Sequence, residues 1–113
     1  MMDDYTDRAV IRNNVSREEL LAQLAEECME LGHAAMKLRR VISGTNPTPV
    51  TADDAEDSVR EEIADVLVVV NLLEAWNIVE TTDMEIDHMM EMKQARWARR
   101  LRKAGMTDGA EDE

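Results

Sequence analysis

Two short acidic runs hold the residues best suited to chemistry in this chain, Glu26-Glu27-Cys28-Met29-Glu30 and Glu61-Glu62-Ile63-Ala64-Asp65. Each contains a pair of acids three residues apart, Glu27 with Glu30 and Glu62 with Asp65. On a helix that spacing sets both carboxylates on one face, a turn apart. In a chain with 25 acidic residues against 13 basic ones, one such pair alone reads as solvated surface. Angular position weighs against a solvated face here. At ~100° per residue, Glu27 lies about 55° from the centre of an apolar stripe, with Glu30 further out on the same flank. At the same step, Glu62 and Asp65 fall about 60° and 120° from the centre set by Val59 and Ile63, in the arc that holds Val69, Leu72 and Trp76. Four carboxylates along half-buried seams suffer desolvation and mutual repulsion unless a cation neutralises them. A hard divalent ion does so, and all-oxygen ligation suits Mg²⁺, with Mn²⁺ as a substitute.

A complementary feature is the basic run Lys93-Gln94-Ala95-Arg96-Trp97-Ala98-Arg99-Arg100-Leu101-Arg102-Lys103. The pull of a helix C-terminus on cations explains Arg102 and Lys103. Lys93 is different, falling near the centre of the row Ile86, Met90, Trp97 and Leu101, with Arg96 and Arg100 on its flank. Carboxylate-bound metal beside inward Lys and Arg describes a polyphosphate site. Trp76, on the Glu62–Asp65 flank, is either core or a platform for a nucleobase. Tyr5 is a candidate to close such a pocket from the N-terminal arm. Cys28 and the methionines at 29, 36, 84, 89, 90 and 92 read as core filler.

The elements that must carry these residues are helices. Ser16-Arg17-Glu18-Glu19 is a capping box, and apolar residues then recur at Leu20, Leu24, Cys28, Leu31, Ala35, Leu38 and Ile42, which predicts a helix to about residue 42. Gly44, Pro47 and Pro49 stop it. A second helix starts near Thr51–Asp54 and reaches about Asn77, through Val59, Ile63, Val66, Val70 and Leu73. Its run Val66–Val70 would suit a buried strand in isolation, but helical periodicity on both sides favours helix. Thr82-Asp83-Met84-Glu85 opens a third helix, extending to Gly105. Residues 1–15 fit either a short helix or an extended arm. Residues 1–105 are expected to form the folded domain and 106–113 an acidic, disordered tail.

Composition agrees and excludes several classes. The 113 residues suffice for one domain. A net charge of −12 opposes nucleic acid and anionic lipid. No apolar run approaches the ~20 residues of a membrane span, and a single cysteine fits a reducing cytoplasm. The second helix is apolar nearly all round, so two neighbours cannot cover it. The expected architecture is therefore an all-α bundle of three long helices, plus a short N-terminal one, completed by homo-oligomerisation.

Glu27-x-x-Glu30 within "AEECMEL" and Glu62-x-x-Asp65 within "EEIADVL", trailed by Lys93-x-x-Arg96, resemble the two-part acidic motif of the MazG-like, all-α nucleoside triphosphate pyrophosphohydrolases. The resemblance spans roughly residues 20–100. It implies a dimer or tetramer and Mg²⁺-dependent cleavage between the α and β phosphates, releasing a nucleoside monophosphate and pyrophosphate, in the manner of nucleotide-pool housecleaning. Carried over by position, Glu27, Glu30, Glu62 and Asp65 would bind Mg²⁺, Glu30 or Glu27 would accept the proton of the attacking water, and Lys93 and Arg96 would contact the triphosphate. Thirty-one residues separate Glu30 from Glu62, more than is usual in that family, because of the Gly44–Asp53 connection.

Three other readings compete. Glu30-x-x-His33 and Glu85-x-x-His88 match the pattern of di-iron carboxylate bundles, although by periodicity both histidines point away from the apolar stripes. A non-catalytic oligomerisation or adaptor module explains the all-round apolar helix but not the carboxylates on its seams. A nucleic-acid reader built on the basic helix conflicts with the net charge.

Overall fold

Ser16, Thr51 and Thr82 each stand just before a helix and accept a hydrogen bond from the backbone N–H three residues on, all at 3.1 Å. At Ser16 the box is complete, its own N–H donating to Glu19 Oε1 at 3.3 Å. A cap of this kind satisfies amides that the helix itself leaves without partners. The computed structural model describes residues 4–44, 49–106 and 109, and in it these caps open α2 (Arg17–Ser43), α3 (Ala52–Ala75) and α4 (Asp83–Lys103). The ambiguous N-terminal stretch forms α1 (Asp4–Asn14). Every regular element among the described residues is helical, and the Val66–Val70 run lies inside α3. No helix among them is long and apolar enough to cross a membrane.

The helix ends follow from backbone chemistry. Gly44 closes α2 at φ 67°, a left-handed conformation that costs glycine nothing, and its N–H reaches Arg40 O at 2.9 Å. At the end of α3 the left-handed position is Asn77, φ 54°. Asn77 N–H donates to Glu74 O at 3.1 Å and Ile78 N–H to Leu73 O at 3.0 Å. That bond pair is a Schellman closure, and Ile78 packs on the cluster containing Leu73, the apolar contact that usually accompanies it. Asparagine is one of the few residues other than glycine that tolerate this backbone. The Thr45–Thr48 part of the expected stop lies outside the described residues, as do the Tyr5 side chain and most of the expected 106–113 tail.

The chain forms two compact units, Met1–Val79 and Glu80–Glu113. In the first, α2 and α3 pack antiparallel. Leu20, near the start of α2, joins Val69, Leu72 and Leu73, near the end of α3, in the buried core. Ile11 and Val15 from α1 and its exit, with Leu24, Trp76 and Ile78, close around it. In the second unit, α4 carries no buried residue.

The packed faces keep most of the expected positions, Leu20, Leu24, Leu31 and Leu38 on α2 and Val59, Val66, Val70 and Leu73 on α3, and depart from the expected stripes at one edge. On α2 the half-buried row runs Leu24, Glu27, Leu31, Ala34, Leu38 and Val41, while Cys28, Ala35 and Ile42 are exposed. On α3, Glu62 is half-buried and Ile63 is 45% exposed. Apolar residues cover more than one side of both helices, which drew the expected centre towards the side that the single chain leaves open. Cys28 is accordingly exposed and free rather than core filler, and so are the six methionines grouped with it. Leu67 and Val68 on α3 are also more than half exposed.

Candidate functional site

The antiparallel register that sets Leu20 against Leu72 brings Glu30 opposite Glu62 and Ala34 opposite Ser58. One turn of α2 separates Glu27 from Glu30, so both reach the same place on α3. An oxygen from each of Glu27, Glu30 and Glu62 lies within 4.8 Å of the others. Glu27 and Glu62 are half-buried and Glu30 is exposed. From one turn earlier on α2, Gln23 Nε2 donates to Glu27 Oε1 at 2.6 Å. The remaining oxygen, Glu27 Oε2, is buried with no partner, and so is Glu62 Oε2.

Such an arrangement is electrostatically unsatisfied. Burial pushes the Glu62 carboxyl up from its ordinary value, and the charges of Glu30, Asp65 and Glu27 and a hydrogen bond with Glu30 push it the same way. Two buried, unpartnered carboxylate oxygens beside a third acid are groups that a cation would satisfy at once. The donors are all oxygen and anionic, which fits a hard divalent ion.

Of the four expected ligands, three therefore converge. Asp65 is exposed and stands beside the group, close enough to raise the Glu62 pKa. With Glu27 it lines a cleft of about 540 Å³ whose other walls include Ile11, Leu20, Val69 and Leu72. Glu30 and Glu62 line a second, smaller cavity of about 230 Å³, completed by His33, Ala34, Lys37 and Ser58. The carboxylate cluster thus lies between two openings within one pair of helices.

Residues 15–100 match the family profile described as the MazG nucleotide pyrophosphohydrolase domain. The chain belongs to this family. The match takes in both acidic pairs, all of α2 and α3 and most of α4. MazG domains are all-α, and their enzymes are typically dependent on divalent metal, in keeping with the orphaned oxygens described above. Comparison with curated proteins and with solved structures gave no significant match.

The remaining expected residues of this MazG domain are distributed as follows. Lys93 and Arg96 line a cavity on α4 with Met89, Met92 and Arg99. Lys93 is exposed, as are Arg96 and Arg100. Trp76 caps α3 and is half-buried against the core, with Arg12 stacked over its ring at 5.4 Å. At ~1.5 Å rise per residue, Trp76 stands about 20 Å along the helix from Glu62. His33 and His88 are exposed, and neither joins the three carboxylates, so the Glu-x-x-His pattern builds no metal pair among the described residues. Gln23 and Lys37 were not singled out from sequence. Both are spaced along α2 on the Glu27–Glu30 side, by four residues before Glu27 and seven after Glu30, and that spacing was the available signal.

Proposed function

We propose that this chain hydrolyses a nucleoside or deoxynucleoside triphosphate to its monophosphate and pyrophosphate, as a nucleotide-pool housecleaning enzyme. The observation that carries the reading is the pair of buried, unpartnered oxygens, Glu27 Oε2 and Glu62 Oε2, converging with Glu30 in a member of the MazG family. Glu27, Glu30 and Glu62, with Asp65 alongside, would hold Mg²⁺. Bound there, the ion supplies Lewis-acid neutralisation of the phosphate oxygens. Glu30 is the exposed member of the group and is suited to take the proton of the water that attacks the α-phosphorus, with Glu27 the other candidate. The bond to the bridging oxygen breaks and pyrophosphate leaves. Lys93, Arg96 and Arg100 would stabilise the charge that builds on it. Trp76, far along α3 from Glu62, would meet a base only at a neighbouring protomer's site. Such neighbours are expected, because Leu67 and Val68 leave an apolar side of α3 uncovered, and a second copy is the simplest occupant.

The test is incubation of purified protein with canonical and modified NTPs and dNTPs plus Mg²⁺, scoring pyrophosphate against orthophosphate. Pyrophosphate and monophosphate that vanish with EDTA and in Glu62→Gln support the reaction. Orthophosphate and diphosphate would place the cleavage at the other anhydride. A folded, metal-loaded protein that turns over nothing in the panel would favour the adaptor reading.

A further inference from the structure

The two openings on either side of the carboxylate cluster differ in charge. The larger cleft is walled by apolar side chains, and its polar lining, apart from Gln23, is acidic, with Glu19 and Glu26 joining Glu27 and Asp65. Among the described residues, no basic one lines it. The smaller cavity has Lys37 and His33 in its wall, together with Ser58 from α3. Lys37 is half-buried, and among the described residues it pairs with no carboxylate, although Glu30 and Glu62 line the same cavity. Seven residues beyond Glu30, it lies on nearly the same face of α2 and about 10 Å further along at ~1.5 Å per residue. Side chains lean towards a helix's N-terminus, so the Lys37 ammonium leans back towards the cluster. An unpaired ammonium beside a metal-ligand group suits an anion that extends past the metal.

We propose that Lys37 binds the β- and γ-phosphates of the substrate, and that the base and sugar occupy the apolar cleft on the other side of the cluster. A polyanionic tail is repelled from the cleft whose only charged residues are acids, whereas an uncharged base is not repelled there and gains apolar contact with Ile11, Val15 and Val68. The α-phosphorus then lies at the carboxylates, where cleavage separates a monophosphate on the cleft side from pyrophosphate on the Lys37 side. This assignment rests on the hydrolase reading above and adds to it a polarity and a phosphate-binding residue outside α4.

Calorimetric titration of the full chain in Mg²⁺ buffer with inorganic tripolyphosphate and with a set of nucleoside monophosphates tests it. Lys37→Met is expected to weaken tripolyphosphate by about tenfold to a hundredfold, the usual loss of a charged contact, and to leave the monophosphates within about twofold. Lys37→Arg should keep most of the tripolyphosphate affinity. Ala22→Trp, which fills the larger cleft from an exposed position on its wall, should do the reverse, weakening monophosphates and sparing tripolyphosphate. Unfolding temperatures confirm that each variant is folded. Unchanged tripolyphosphate affinity in Lys37→Met, equal loss of both ligands, or a wild-type chain that binds no tripolyphosphate would overturn the assignment. Wild-type protein that shows the expected split yet cleaves no triphosphate would overturn the hydrolase reading and leave the polarity standing.

Discussion

Gln23 offers a sharp test of how the metal-binding group is prepared. Its amide donates to Glu27 Oε1 at 2.6 Å, which holds the carboxylate, while Oε2 is buried without a partner. Gln23→Leu keeps the side-chain size and helix propensity and deletes only the donor. A hydrogen bond to a charged group contributes about 1.5–3 kcal/mol net. Lost from the metal-bound state, that corresponds to about tenfold to a hundredfold weaker binding, the range found when a partner behind a metal ligand is removed. Titration of metal-free protein with Mn²⁺, followed by calorimetry or by the paramagnetic signal of the free ion, gives the affinity directly. Because Gln23 is exposed, the unfolding temperature in EDTA should stay within a few degrees of wild type. An unchanged Mn²⁺ affinity in a folded variant would show that Glu27 is not the ligand its surroundings suggest.

Three further outcomes follow from the same geometry. Leu73→Ala, at a side chain only 3% exposed in the core, should cost about 2–5 kcal/mol in urea unfolding; a loss under half a kcal/mol would mean that the core is not where α2 and α3 meet. Because the Glu62 pKa is raised on folding, the native state holds that proton more tightly than the unfolded chain; in EDTA its contribution to stability is present at acid pH and declines as pH climbs from the ordinary glutamate range through the raised value. Glu62→Gln should remove that decline, so the gap between the two melting curves must widen with pH, and a gap constant across pH refutes the placement. Ile63→Glu with Leu67→Glu charges the open side of α3 and should lower the mass measured by light scattering; an unchanged oligomer would place the contact elsewhere.

Much of this was legible in the chain before any coordinates. The three caps and their side-chain oxygens were readable because capping is local chemistry, decided within four residues. The placing of Glu27 and Glu30 on one face was readable because a three-residue spacing on a helix leaves little freedom, whereas their meeting with Glu62 depends on how α2 and α3 pair. What periodicity misplaced was one edge of each face. Cys28 and Ile63 are more apolar than Glu27 and Glu62, so hydropathy alone draws the centre of each stripe towards the exposed side. In the folded pair the acids lie inside and the apolar neighbours outside, a sequence-level contradiction of the sort that functional sites produce. Lys37 escaped notice for a related reason. The basic run of α4 stands out by its density, whereas a lone lysine two turns beyond Glu30 reads as surface in a sequence that does not show the cavity joining it to Glu62. The relation of α4 to the cluster has no local signature at all, since it depends on neighbours distant in sequence.

The antiparallel pairing of α2 and α3 has a practical consequence for engineering. The carboxylates that matter sit near mid-helix, well over two turns from Ser43 and Ala52, where α2 stops and α3 starts. Their alignment follows from the leucines and valines packed along the pair. Doubling the length of such a connection adds only about 0.6 kcal/mol of closure entropy. The junction after Gly44 is therefore a natural port for a reporter peptide, a fluorophore attachment sequence or a tether to a second protein. A guest placed there would ride at the tip of the hairpin without shifting an oxygen at its centre.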